Sequence, residues 1–180
     1  RSMLAEVRRR DVDAGGRYML LGSGVEQEDS HYDGTRTSDF MPGHMTTFGT
    51  VRDQEFWRVL RQRGYAMVES LQTNYAATTG LLPDFAEGMS GAGPKPASPG
   101  FFLDAQNDDY GQYASRTPLR IALDYVTSGS GDAKAVVERM NGWMSESTRG
   151  DPALIRAGYR LDGTPLESST SIDRKSVVEG

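Results

Sequence analysis

The feature that most constrains this chain is a helical periodicity that recurs along it without any alternating strand pattern. Its longest stretch covers residues 53–75, where apolar side chains return every three or four positions. We predict one long helix there, with Asp53 as its N-cap. The apolar positions of this stretch are Phe56, Trp57, Leu60, Met67, Leu71 and Tyr75.

Other segments show the same spacing and are separated by long loops. Residues 22–50 and 85–114 are rich in turn-forming residues and have no clean period, so we predict loops there. Residues 17–21 fit a short strand or an extended connector. We therefore predict an all-α fold. The further helices are expected at residues 2–12, 117–127, 132–145 (capped by Asp132) and 151–157.

The helix at residues 117–127 carries an unusual charge pattern. Its apolar side chains wrap most of the circumference, so we expect it to be buried. Arg116, Arg120 and Asp124 are spaced four apart and form one charged stripe. Since an unpaired buried charge is costly, the stripe needs partners. Either Arg120 and Asp124 pair within the helix, or the stripe faces a polar cleft in which Arg116 bonds a catalytic carboxylate or a substrate.

Composition excludes several classes of protein. A net charge of −5 argues against a strongly basic nucleic-acid binder. The chain has no cysteine and only two histidines, which excludes a disulfide scaffold, a thiolate metal site and a three-histidine zinc site. No apolar run is long enough for a membrane-spanning helix. The oligomeric state is left open.

Residues 101–116, FFLDAQNDDYGQYASR, combine carboxylates with aromatic rings. Asp104, Asp108 and Asp109 lie close in sequence to Tyr110 and Tyr113. Aromatic rings stack on the apolar faces of sugars, and carboxylates supply acid and base to a glycosidic bond. The alternative is a solvated acidic loop without chemistry.

Three segments resemble glycoside hydrolase family 8 in the family's order. They are TGLLPDF at residues 79–85, ASRTPLRIALDY at 114–125 and AGYRLDGTPL at 157–166. The resemblance implies an (α/α)6 toroid of six helical hairpins, of which residues 1–171 would form an incomplete part, the second half of the catalytic domain. The chain begins at Arg1 within a predicted helix, and we expect it to be a fragment. Residues 172–180 resemble a translated sequencing adapter and are set aside.

The resemblance also implies an activity. Family members are inverting, endo-acting hydrolases of β-1,4-linked polysaccharide. We expect β-glucan or cellulose as the substrate, with chitosan, mixed-linkage glucan and xylan as the other candidates. Inversion needs a general acid and a general base about 6.5–9.5 Å apart, with no metal or other cofactor. The acid glutamate belongs to a family segment that nothing here matches, so we expect this chain alone to be inactive. Polymers do not enter cells, so we expect secretion.

Residue roles follow from the same resemblance. The usual base position, three residues before Arg116, holds Tyr113, and a phenol is in general too weak an acid to serve as an ionised base at neutral pH. We therefore expect Asp108 or Asp109 to be the base and Arg116 to orient it. The remaining substrate-binding candidates are Tyr110, Tyr113, Asp104, Arg120 and Asp84, the last of which we expect to be mainly structural.

Two other functions stay open. A tyrosine at the usual base position favours a relative that binds polysaccharide without cleaving it. An unrelated all-α interaction domain, with the acidic loop as ordinary surface, is the third hypothesis.

Overall fold

Five α-helices dominate the described part of the computed structural model, which covers residues 2–91, 93–102 and 107–166. The all-α prediction is confirmed. Among these residues, no helix has both the length and the apolar character that crossing a bilayer requires. The helices are α1 (Met3–Arg10), α2 (Pro42–Val51), α3 (Gln54–Tyr75), α4 (Thr117–Ser128) and α5 (Gly131–Ser147).

Helix α3 supplies the centre of the core, as its periodicity predicts. Trp57, Leu60 and Leu71 are almost completely buried along one face. Asp53 does stand at the start of the helix, but its side chain makes no capping hydrogen bond there. Its backbone is left-handed, with φ 52°, and its carboxylate instead contacts the guanidinium of Arg52 at 3.1 Å.

Helix α2 occupies the last part of residues 22–50, where the sequence predicts a loop, and ends at Val51, so that prediction is wrong there. Its sequence PGHMTTFGTV is rich in glycine and threonine, which have low helix propensity and hide the periodicity. Contacts with α3 and α4 compensate for this. α2 and α4 cross closely at Gly43, where an added Cβ would lie at van der Waals contact, 3.4 Å, from the backbone of Asp124.

A small antiparallel sheet, which the sequence did not predict, joins two of the predicted loops. It consists of β1 (Gly34–Arg36), β2 (Phe85–Glu87) and β3 (Lys95–Pro96), in that order. Arg36 pairs with Phe85, and Glu87 pairs with both Gly34 and Lys95. Strands of two or three residues are too short for alternation to reveal them.

Helix α4 is not buried all round, so that prediction is also wrong. Only Thr117, Ile121 and Asp124 are buried, and four other apolar side chains are exposed. Asp124 turns inward because its partners lie on α3, and Arg120 turns toward the 3-10 turn Thr37–Asp39, where its own partners lie. The outward residues, with their exposed fractions, are Leu119 (61%), Leu123 (41%), Tyr125 (42%) and Val126 (78%).

The partners of the stripe differ from the predicted intrahelical pair. The completely buried carboxylate of Asp124 accepts hydrogen bonds from Arg61 Nη2 and Tyr65 Oη, both at 2.5 Å. Arg120 instead donates to the carbonyl of Ser38 and lies 3.4 Å from Asp39. The Arg120–Asp124 interpretation is therefore wrong, and both charges tie α4 to its neighbours.

Helix α5 follows α4 through a tight turn. Gly129 ends α4 with a φ of 70°, which glycine adopts easily. Ser130, rather than the predicted Asp132, caps α5 by accepting a hydrogen bond from the Ala133 N–H at 3.3 Å. The predicted helix at 151–157 shortens to a 3-10 turn, Pro152–Leu154.

Candidate active site

The acidic segment that begins at residue 107 is held by backbone hydrogen bonds on two sides. On one side, the Asp84 N–H donates to the Asp109 carbonyl at 2.8 Å. On the other, Tyr110 and Tyr159 exchange two hydrogen bonds of 2.8 and 3.0 Å. These bonds join two of the three family-like segments to the acidic loop and fix the position of Asp109.

The carboxyl group of Asp109 is half-buried in an acidic environment. Burial is the main cause that raises its pKa to about 6, and the negative charges of Asp108, Asp84 and Asp162 add to the effect. The positive charge of Arg160 acts in the opposite direction. A carboxyl group with this pKa can exchange a proton near neutral pH, as acid–base catalysis requires.

Arg160 is placed beside Asp109 by the pairing of Tyr110 with Tyr159. In an antiparallel pair, the residue before Tyr110 lies opposite the residue after Tyr159. Arg160 is itself fixed by a turn in which its N–H donates to the Thr164 carbonyl at 2.8 Å. Sequence reasoning missed Arg160, although it lies in the family-like segment AGYRLDGTPL, because no local signal connects that segment to Asp109.

Asp84 organises the loop that carries Asp109. Its buried carboxylate accepts hydrogen bonds from the N–H groups of Gly111, at 3.0 Å, and Ala114, at 2.6 Å. A Cβ on Gly111 would lie 2.5 Å from the same carboxylate, so glycine permits the close approach. These contacts favour the structural role expected for Asp84.

Arg116 does not contact the predicted base. It is exposed at the end of the 3-10 turn Ala114–Arg116, with its guanidinium carbon 5.8 Å from the ring centre of Tyr113. Within the described residues it makes no hydrogen bond or ion pair with Asp108 or Asp109. The expected orienting contact is therefore wrong, because the turn held by Asp84 leaves Arg116 on the ring of Tyr113.

The two tyrosines of the segment have different environments. Tyr110 is 9% exposed, packs in the core, and offers little surface to a substrate. Tyr113 is half-buried, with its ring 5.2 Å from that of Phe85 and 4.9 Å from the guanidinium carbon of Arg36. Asp104 and the tail at 172–180 lie outside the described residues.

Histidine, aspartate and glutamate side chains in the described part of the chain form no group of three or more arranged to hold a metal ion.

Comparison with known proteins identifies relatives over most of the chain. No family model matches it. A beta-glucanase of Niallia circulans is 38% identical over 137 residues, which are 76% of this chain and 33% of that protein. An endoglucanase of Bacillus sp. (strain KSM-330) is 34% identical over 134 residues, 73% of this chain and 28% of that protein. The chain thus spans about a third of the length of these relatives.

Solved structures with a similar fold also include a glucanase. The apo structure of a beta-1,3-1,4-glucanase from Paenibacillus sp. X4 superposes with a TM-score of 0.88 and 33% identity, over 93% of this chain and 44% of that one. A GH8 xylobiose complex from Teredinibacter turnerae, at 20% identity and TM-score 0.70, shares the fold over 93% of this chain and 39% of its own. The resemblance to glycoside hydrolase family 8 is therefore confirmed, and the helices have the fold of part of the family's (α/α)6 toroid.

Proposed function

We propose that this chain contributes the general base to a secreted, inverting hydrolase of β-1,4-linked glucan, and that Asp109 is the base. The similarity to glucanases argues against the third hypothesis, an unrelated interaction domain. The proposal concerns the protein as a whole, in which the general acid glutamate would come from the part of the catalytic domain that this chain does not match. Secretion follows from the polymeric substrate.

The observation that carries the proposal is the environment of Asp109. Its backbone is anchored to Asp84, its side chain is half-buried, and its pKa is raised to about 6. Above that pH the carboxylate is ionised and can remove a proton from the attacking water, while its raised pKa makes it a stronger base than an ordinary aspartate. Asp108 is adjacent and supplies negative charge that keeps this pKa high.

In this proposal Arg160, and not Arg116, is the arginine that acts on the base. Its charge favours the ionised form of Asp109 and opposes the three surrounding carboxylates. We infer that it keeps the base deprotonated at neutral pH. Arg160 is exposed, so its charge can also be compensated by solvent, which limits the effect.

The names of the relatives support β-glucan as the substrate class. The relatives at 33–38% identity are a beta-glucanase, an endoglucanase and a beta-1,3-1,4-glucanase. The GH8 xylobiose complex is only 20% identical to this chain, so it supports the fold and carries no argument about the substrate. We therefore place cellulose and mixed-linkage glucan before xylan and chitosan.

The test is hydrolysis by the full-length protein and its Asp109→Asn variant. We expect release of reducing sugar from mixed-linkage glucan or carboxymethylcellulose, with an α-anomeric product in the first turnover by NMR. Since a general base contributes about 10²–10⁴-fold, the variant should lose that factor in kcat with little change in KM. Asp108→Asn is the matched control and should retain most of the activity.

Two results would contradict this assignment. If Asp108→Asn lost activity and Asp109→Asn kept it, the base would be Asp108. If the first product were the β-anomer, the reaction would not be an inversion.

A polysaccharide-binding relative without turnover is the second candidate. Tyr113 occupies the position where the family resemblance expects the base, and its ring packs on Phe85 as a binding residue could. Tight binding of β-glucan by the full-length protein, with no sugar released from glucan, xylan or chitosan, would favour this candidate over hydrolysis.

A further inference from the structure

An apolar groove runs between α4 and α5, beside the candidate active site. It has a volume of about 270 Å³. Leu81 and Met140, which are almost completely buried, line it together with Leu119 of α4 and Val137 of α5. A groove between two neighbouring helices that is lined by apolar side chains is a surface on which a further amphipathic helix can pack.

The groove continues into exposed apolar side chains on α4. Three of them, at positions 119, 123 and 126, recur at intervals of four and three residues, which is the spacing of a helix that buries one side. The charged residues Arg120 and Asp124 turn away from this side, toward their partners within the fold. In the part of the chain that the structure describes, a helix side with the spacing of a buried one is therefore exposed. We call it the apolar face of α4, and it consists of Leu119, Leu123, Tyr125 and Val126, each at least 41% exposed.

The lengths of the relatives indicate what covers this surface. The chain corresponds to 33% of the beta-glucanase of Niallia circulans and to 44% of the solved beta-1,3-1,4-glucanase chain from Paenibacillus sp. X4. More than half of each of those proteins thus has no counterpart in this chain. The apolar face carries no charge, so a segment that covers it must itself present apolar side chains.

The same groove is connected to the candidate base. Tyr110, which directly follows Asp109, is one of its lining residues. Arg156 lines the groove as well, and its N–H donates to the Tyr159 hydroxyl at 2.7 Å. Tyr159 in turn exchanges two backbone hydrogen bonds with Tyr110. A helix in the groove would therefore lie against both sides of the backbone pairing that holds Asp109 in place.

We propose that the groove and the apolar face of α4 form a docking surface for an apolar helix from the part of the catalytic domain that this chain does not match. This helix stabilises the pairing of Tyr110 with Tyr159 and so fixes the position of Asp109. Tyr110 is then a positioning residue that acts through Asp109, and the chain alone holds Asp109 less firmly than the full-length protein does. The part of the inference that concerns Asp109 rests on the proposed function.

Thermal unfolding of Leu119→Lys, in the chain and in the full-length protein, tests the docking surface. In the chain Leu119 is 61% exposed, so the lysine should change Tm by no more than about 2 °C in dilute solution. In the full-length protein the lysine would be buried against apolar side chains, and Tm should fall by about 5 °C or more. Leu119→Met keeps an apolar side chain of similar volume and is the matched control, with little change in either protein.

Hydrogen exchange of the unaltered proteins tests the connection to Asp109. The N–H groups of Tyr110 and Tyr159 should exchange at least about tenfold more slowly in the full-length protein than in the chain, because the docked helix limits local opening of their pairing. In the full-length protein, Leu119→Lys should return both exchange rates toward those of the chain, and Leu119→Met should not.

Either of two results would overturn the proposal. The first is that Leu119→Lys lowers Tm no more in the full-length protein than in the chain. The second is that the N–H groups of Tyr110 and Tyr159 exchange at the same rates in both proteins.

The docking surface and the proposed base fail in different ways. If Asp109→Asn abolishes hydrolysis while Leu119→Lys and the exchange rates do not distinguish the two proteins, the base stands and the docking surface is wrong. If both measurements give the expected differences while Asp109→Asn retains full activity, the docking surface stands and Asp109 is not the base.

Discussion

At the scale of single residues, the folded chain favours the protonated form of the Asp109 carboxyl group, so ionisation of this group lowers the free energy of unfolding. Its folded-state pKa of about 6 lies above the value of about 4 expected in an unfolded chain. The folded chain therefore binds this proton more tightly than the unfolded chain does. The resulting stability is fully present below pH 4 and is lost as the pH rises through about 6.

We expect Asp109→Asn to stabilise the chain at pH 7. A shift of this size corresponds to at most about 2.7 kcal/mol, and solvent screening of a half-exposed group reduces it to about 1 kcal/mol. Urea unfolding at pH 7 and at pH 4 measures the effect. A gain of the same size at both pH values would show that the change does not arise from ionisation.

Replacing Arg160 should change the titration of Asp109 without removing the carboxyl group. In Arg160→Met the pKa of Asp109 should rise above about 6, because the opposing positive charge is lost. Carbon-13 NMR of the aspartate carboxyl groups measures this in the chain itself. Arg149→Met, at another exposed arginine, is the control. If both variants shifted the pKa of Asp109 equally, the charge of Arg160 would have no specific effect on Asp109.

At the scale of elements, the buried charge of Asp124 determines how α4 packs. Arg61 and Tyr65 reach it from α3, and Ser128 contacts it from the next turn of α4 at 3.2 Å. Burial and the neighbouring carboxylate of Asp124 raise the pKa of Tyr65, which therefore stays a hydrogen-bond donor. Asp124 thus joins α4 to α3 through hydrogen bonds and an ion pair.

Asp124→Ala should be strongly destabilising. It leaves Arg61 and the Tyr65 hydroxyl without their buried partner, which costs about 3–5 kcal/mol. Urea unfolding measures the loss. Glu138→Ala is the matched control, since its pair with Lys134 is largely exposed and solvent screening leaves it little weight in stability. Equal losses in the two variants would show that the Asp124 network is not a main contributor.

At the scale of the whole molecule, the outward face of α4 is an apolar surface. Leu119, Leu123, Tyr125 and Val126 are all at least 41% exposed, and an adjacent groove of about 270 Å³ between α4 and α5 is also largely apolar. The chain spans about a third of the length of its curated relatives. An exposed apolar face of this kind favours association.

Lysines on this face should reduce self-association of the chain. We expect Leu119→Lys with Val126→Lys to lower the fraction of oligomer in analytical ultracentrifugation and to reduce binding of a hydrophobic dye, because both side chains already face outward. Thr73→Lys with Asn74→Lys adds the same charge to a polar, exposed part of α3 and serves as control. If both pairs had the same effect, net charge rather than the apolar face would be responsible.

Much of the fold was predictable, and the site was predictable only in part. Helices α1, α3, α4 and α5 appear close to their predicted ranges, because helical periodicity is a local property. The acidic loop was found from its own run of carboxylates and aromatic residues, and Asp84 from the resemblance of residues 79–85 to the family. The predicted contact of Arg116 with Asp108 or Asp109 was wrong because closeness in sequence was treated as closeness in space. Arg160, about 50 residues further along the chain, is the arginine whose charge acts on Asp109.

The sequence by itself determined the helical class and the family, since both depend on residues near one another along the chain. Tertiary structure alone decided which face of α4 turns inward, because Asp124 finds Arg61 at a separation of 63 residues. It also decided that Arg160 faces Asp109, through a pairing of Tyr110 with Tyr159. Charges are buried where partners from other elements meet them, and no local pattern specifies where those partners will lie.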